Sequence, residues 1–156
     1  MEEILHTAHA VLAGTWLGTV VFTAFVVSPA FEKMKWDEPE RVLVRSKIGR
    51  RYAKVGGANL ALLAVFAVLD GATGGFDLIL YAELVLLVAV IGLVAVHGAY
   101  FGKRLAALAA EERKAANPET AAELAGRRRS LQRLSLRVSR LDLVLSAVVA
   151  VLAVNA

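Results

Sequence analysis

Residues 78–101 read LILYAELVLLVAVIGLVAVHGAYF, with Glu83 and His97 as the only ionisable side chains other than tyrosine. A bilayer's hydrocarbon core, ~30 Å thick, takes about 20 helical residues to cross. In lipid every backbone N–H and C=O must be satisfied within the segment, so a run this apolar and this long reads as a spanning helix. Three further apolar stretches surround it: about Ile4 to Val27, ended by Ser28-Pro29, about Val55 to Leu69, and about Leu141 to Val154. The last two are short for a span. Basic residues that snorkel extend them, Arg50 to Lys54 for one and Arg133, Arg137 and Arg140 for the other.

The placement of charge supports four spans. One basic segment carries Lys33, Lys35, Arg41, Arg45, Lys47, Arg50, Arg51 and Lys54. The other, Gly102 to Arg140, carries Lys103, Arg104, Arg113, Lys114, Arg127, Arg128, Arg129, Arg133, Arg137 and Arg140. Together they hold all 18 lysines and arginines, and the Asp70–Asp77 loop and both ends hold none. The positive-inside rule therefore predicts cytoplasmic basic segments in a bacterial-type inner membrane, with the N-terminus and C-terminus outside. Three or five spans would break this alternation.

Composition agrees. The chain has 156 residues, 58% of them hydrophobic, and a mean hydropathy of +0.60; ordinary soluble domains are nearer ~45–50% apolar. With no cysteine, disulfides, thiolate metal sites and iron–sulfur clusters are excluded. The net charge of +4 is explained by topology, so no nucleic acid partner is expected. The acidic start, Met1-Glu2-Glu3, is unlike the basic n-region of a signal peptide, which predicts a retained first helix.

The long third connection reads as helix. Lys103–Ala116 is rich in Ala, Leu, Glu, Lys and Arg. Asn117-Pro118-Glu119 then supplies an N-cap, a proline at the first helical position and an early acid. The expected fold is all-α: a single four-transmembrane-helix domain over 1–156, with helices at about 4–28, 53–70, 77–116 and 118–155. A cytoplasmic helical hairpin extends helices 3 and 4, each arm roughly 20 Å long at ~1.5 Å per residue. Leu105, Leu108, Leu124, Leu131 and Leu134 are candidates to zip the arms, and Trp36 and Tyr52 to anchor the first connection at the interface.

Depth sorts the polar residues into two layers. His6 and His9, three apart on one helical face, lie in the outer third of helix 1. Glu83 lies at matching depth, and Asp70 and Asp77 sit at the rim. Two imidazoles and a carboxylate are a plausible ligand set for copper or another divalent metal, so His6, His9 and Glu83 form the candidate metal site. An intramembrane carboxylate is expensive and normally faces a partner or a cavity. Asn59, His97 and Asp142 form a proton-handling or polar inner layer, too far from His6 and His9 to share a metal or a bis-histidine haem.

Small residues repeat at four-residue spacing in Ala10, Gly14 and Gly18, with Trp16 on the same helix, and again in Ala53, Gly57 and Ala61. Such rows predict close helix packing or a homo-oligomer. Arg127, Arg128 and Arg129 are candidates to bind a partner or anionic lipid headgroups.

Helix 1 also resembles a family pattern. His9-Ala10, Trp16-Leu17-Gly18, Phe22, Phe25-Val26-Val27 and Pro29-Ala30-Phe31 are similar to the opening of a small four-helix membrane family allied to the copper-resistance protein D (CopD-like) membrane domains. Thr19 stands where a second glycine is usual, and Gln132 and Asp142 where a histidine and an asparagine are common. The resemblance implies a four-helix bundle and copper handling, carried over only to His6 and His9. The expected function is an ion- or metal-handling, transporter-like membrane protein with an outward-facing His/Glu site, without enzymatic activity. The alternatives are a haem- or quinone-linked redox enzyme and a scaffold docking through its basic hairpin.

Overall fold

The computed structural model describes residues 2–156; Met1, part of the acidic start, lies outside the described residues. Four long helical rods account for nearly all of it, and no strand occurs among the described residues. The first rod is α1 (Glu2–Phe22), which passes through a wide π turn at Thr23–Val27 into the short α2 (Ser28–Lys33). The second is α3 (Glu38–Gly74). The third is α4 (Leu78–Val96), continued by a π turn at His97–Gly102 into α5 (Lys103–Lys114). The fourth is α6 (Pro118–Asn155). All four are long and apolar enough to cross a membrane.

Each connection stops and restarts a helix by recognisable chemistry. The side chains of Asp37, Asp77 and Asn117 accept the N–H of Glu40, Leu80 and Thr120 at 2.7, 2.8 and 2.8 Å, satisfying donors that a helix start leaves open. Proline occupies the first turn of α3 and of α6. Gly75, at φ 103°, closes α3 in a conformation that only glycine adopts without strain.

The second helix differs from expectation. It begins at Glu38 rather than near residue 53. The cause is Asp37-Glu38-Pro39, a cap, an acid and an early proline of the same kind as Asn117-Pro118-Glu119. The extension beyond the apolar spans therefore has three arms, because the start of α3 packs against α5 while α5 packs against α6. Arg128 of α6 ties them together. Its buried guanidinium donates from Nε to Glu112 of α5 at 2.7 Å and from Nη2 to Glu38 of α3 at 2.9 Å. The Arg128 guanidinium holds the Glu38 carboxyl below the usual carboxylate range. Leu108, Ala109 and Ala125 are buried at this junction, whereas Leu134 faces outward. Trp36, 40% exposed, lies 6.3 Å from the buried Phe31 ring, over which Arg45 stacks at 5.4 Å.

Within the apolar part, α1 packs against α3 and α6, α4 against α6, and a slighter seam joins α4 to α3. The buried face of α1 is His9, Ala13 and Trp16, at helical 3- and 4-residue spacing. Ala13 and Trp16 join Leu60, Leu63, Leu87, Val90, Val149, Ala150 and Ala153 in one aliphatic cluster. Trp16 is pinned there, its Nε1–H donating to Ser146 Oγ at 2.9 Å.

The glycine rows do not pack within the chain. A Cβ at Gly14, Gly18 or Gly57 would meet nothing within 4 Å, so these glycines do not mediate packing inside the chain. Close approach occurs one residue away from the expected α3 row. A Cβ at Gly56 would lie 3.2 Å from Trp16 Cζ3, and one at Gly71 would lie 2.5 Å from Phe76 Cε1. The bulky indole, not a matching row of small residues, decides where α3 must be thin.

Candidate functional site

The start of α1, the end of α6 and the α3–α4 turn meet at one end of the bundle. There an open cavity of about 580 Å³ is lined by residues including Glu3, His6, Asp70, Asp77 and Ala156. Three helices converge polar side chains beneath it. α1 contributes His6 and His9, α3 contributes Asp70 from its last turns, and α4 contributes Glu83. His9 and Glu83 are fully buried at 0% exposure and Asp70 is 7% exposed, while the His6 side chain is 36% exposed at the cavity.

The distances form a chain. His9 Nε2 lies 2.7 Å from Glu83 Oε1. His9 Nδ1 lies 3.5 Å from Asp70 Oδ2, and His6 Nδ1 lies 3.2 Å from the same oxygen. An ionised carboxylate only accepts, so with Glu83 charged the short contact is one in which His9 Nε2–H donates to Glu83. Among the described residues neither His9 Nδ1 nor Glu83 Oε2 has a hydrogen-bond partner. Two carboxylates held with two imidazoles in a membrane interior are costly unless positive charge accompanies them.

The three residues singled out from sequence thus come together. The signal that placed them was depth along two helices running in the same direction. Asp70 stands at the centre rather than at the rim. From sequence the second span ends at residue 70, but α3 continues to Gly74, about one further helical turn, which sinks Asp70 inside the bundle.

The inner layer does not assemble. The Asn59 side chain donates to the Leu12 carbonyl at 3.2 Å, bracing α3 against α1. The half-buried His97 packs its ring 5.8 Å from Phe101. Asp142 forms no ion pair with Arg137 or Arg140 among the described residues, and its buried Oδ1 has no partner. A separate polar group that sequence did not connect lies beside it on α1 and α3, where Tyr52 donates to Thr19 Oγ1 at 2.9 Å.

Of the three consecutive arginines, Arg128 is engaged internally. Arg127 pairs with Glu123 on its own helix at 2.6 Å. Arg129 is exposed and, with Gln132, Arg133 and Glu38, lines a second open groove of about 420 Å³.

No curated protein and no solved structure matches the chain. A family described as Domain of unknown function (DUF4149) matches residues 11–114, a range that includes Asp70 and Glu83 and begins after His9. Nothing in that match ties the chain to copper-resistance membrane domains. Covering residues 11–114 of 156, the match establishes that this four-helix chain belongs to the DUF4149 family.

Proposed function

We propose that the chain is an ion-handling, transporter-like protein of a bacterial-type inner membrane, whose His/carboxylate cluster takes up a cation from the outer side. The observation that carries this reading is the placement of a fully buried His9 between Glu83 and Asp70, beside a cavity at the end bearing both termini. Such a cluster concentrates negative potential where water is scarce, and a cation relieves it. The orientation rests on the absence of lysine and arginine from that end.

The test is cation flux into vesicles containing the purified full-length chain, across a panel of potassium, magnesium, manganese, nickel and zinc. Saturable uptake that is lost in Asp70→Asn supports the reading. No flux for any cation, with correctly folded protein, removes it.

A second reading concerns the opposite end. The groove containing Arg129 and Arg133 supports binding of an anionic lipid headgroup at the cytoplasmic face. Equal association with neutral and phosphatidylglycerol-containing nanodiscs would remove it.

A further inference from the structure

Within the outer cluster the distances discriminate between ways of holding a cation. Tetrahedral ligation at about 2.0–2.2 Å from a metal places neighbouring donor atoms roughly 3.3–3.6 Å apart by simple geometry. Of the two separations at Asp70 Oδ2, 3.5 Å to His9 Nδ1 falls inside that range and 3.2 Å to His6 Nδ1 lies just below it. One donor atom from each of these three residues lies within 4.8 Å of the other two. The 2.7 Å between His9 Nε2 and Glu83 Oε1 is too short for two donors on one metal and right for a hydrogen bond. Moreover, the two nitrogens of an imidazole point to opposite sides of the ring. An ion on the Nδ1 side therefore leaves Glu83 behind His9.

We infer that this cluster is a site for a divalent late first-row transition metal, zinc being the reference case, ligated by His6, His9 through Nδ1, and Asp70, with Glu83 as the residue that positions His9. The inference rests on the reading of the cluster as a cation site and revises the ligand set expected from sequence, exchanging Glu83 for Asp70. Three further observations support it. The fully buried His9 turns toward Asp70 a ring nitrogen that has no hydrogen-bond partner among the described residues. Its other nitrogen is held by a carboxylate, the arrangement that fixes tautomer and ring orientation in metal-bound histidines and raises the basicity of the ligating nitrogen. The third ligand, His6, borders the cavity, which gives an ion an entry path and leaves one coordination position for water or a transferred ligand.

The donor set selects the class of ion. Two imidazoles and one carboxylate suit zinc, copper(II), nickel and cobalt, whereas magnesium and calcium take oxygen ligands. Without cysteine, the soft donors that favour copper(I) are scarce.

The experiment is zinc titration of the purified full-length chain in detergent micelles, followed by X-ray absorption of the zinc complex. One zinc per chain is expected, with two imidazoles in its coordination shell. His6→Ala and Asp70→Asn should weaken binding beyond the about 10–100-fold that loss of an outer-shell partner causes. Glu83→Gln should stay within that range and leave the two-imidazole spectrum unchanged, because an amide oxygen still accepts from Nε2–H. His6 sits at the cavity rim, so His6→Ala tests ligation with little risk to folding, and circular dichroism confirms the helices. Zinc affinity unchanged in the His6→Ala, Asp70→Asn double variant overturns the inference. So does a coordination shell altered by Glu83→Gln but not by Asp70→Asn. The two readings fail separately: zinc binding without vesicle flux leaves the site and removes the transporter, and potassium or magnesium flux without zinc binding does the reverse.

Discussion

The indole of Trp16 and the hydroxyl of Ser146, 130 positions apart in sequence, form a fully buried hydrogen bond of 2.9 Å that joins the first helix to the last. Both groups are sealed within the aliphatic cluster, so neither has water as an alternative partner. Ser146→Ala should lower stability by about 1–3 kcal/mol, the range for leaving a buried donor unpaired. Trp16→Phe combined with Ser146→Ala should cost less than the sum of the two single changes, because the second removes nothing that the first has not already removed. Equilibrium unfolding in mixed micelles measures both.

Alanine at selected glycines separates the packing seen from the packing expected. Gly14→Ala and Gly18→Ala meet open space and should be neutral or stabilising by up to about 1 kcal/mol through helix propensity. Gly71→Ala drives a methyl into Phe76 and Leu80 and should destabilise by about 1–3 kcal/mol. Thermal denaturation in detergent ranks the three, and loss of stability at Gly14 but not Gly71 would contradict the packing described.

The Arg128 clamp makes the basic end of the bundle acid-sensitive. The carboxyl of Glu38 titrates below its ordinary 4.5 because Arg128 hydrogen-bonds to it. A depressed folded value means that Glu38 contributes stability above its unfolded pKa and loses it as pH falls through the folded one. Melting measured from pH 6 down to pH 3 should therefore fall less steeply in Glu38→Gln than in the parent chain. Arg128→Ala should lower melting at neutral pH as well, since it takes from Glu38 and Glu112 the guanidinium they share.

The absence of cysteine makes orientation directly measurable. Thr73 and Ala116 are exposed at opposite ends of the bundle. A membrane-impermeant maleimide applied to intact cells should label Thr73→Cys and spare Ala116→Cys, and labelling should equalise once the membrane is opened. The opposite pattern would invert the proposed topology.

Much of this architecture is legible in the residues because membrane helices are selected by coarse properties. Leu78–Val96 is unmistakable from apolarity alone, and segregation of the 18 basic residues predicts four spans, in line with four helices long and apolar enough to cross a membrane. Depth counting brought His6, His9 and Glu83 together without any contact information. What eluded sequence depends on rotation about helix axes rather than position along them. Gly14 and Gly18 have the spacing of a packing row, yet α1 turns His9, Ala13 and Trp16 inward instead. The π turns at Thr23–Val27 and His97–Gly102 depart from the 3.6-residue repeat, so a face traced across either one drifts. Asp70 is hidden in sequence for a different reason: its depth depends on α3 running on to Gly74. Arg128 looked like its neighbours because charge runs are usually solvated, and only the approach of Glu38 and Glu112 singles it out.

The aliphatic cluster one to two turns below Glu83 has a consequence for direction. From the outer cluster inward, α1 offers Ala13 and Trp16, α4 offers Leu87 and Val90, and α6 offers Val149 and Ala150. On the proposed transporter reading, the molecule in this form is a cup rather than a corridor: an ion entering past His6 would leave by the same mouth. Vectorial movement would then need this plug to open, and the bolt across its α1–α6 seam is the Trp16–Ser146 bond. Drawing that bolt, more than capturing the ion, is where a gate would have to work.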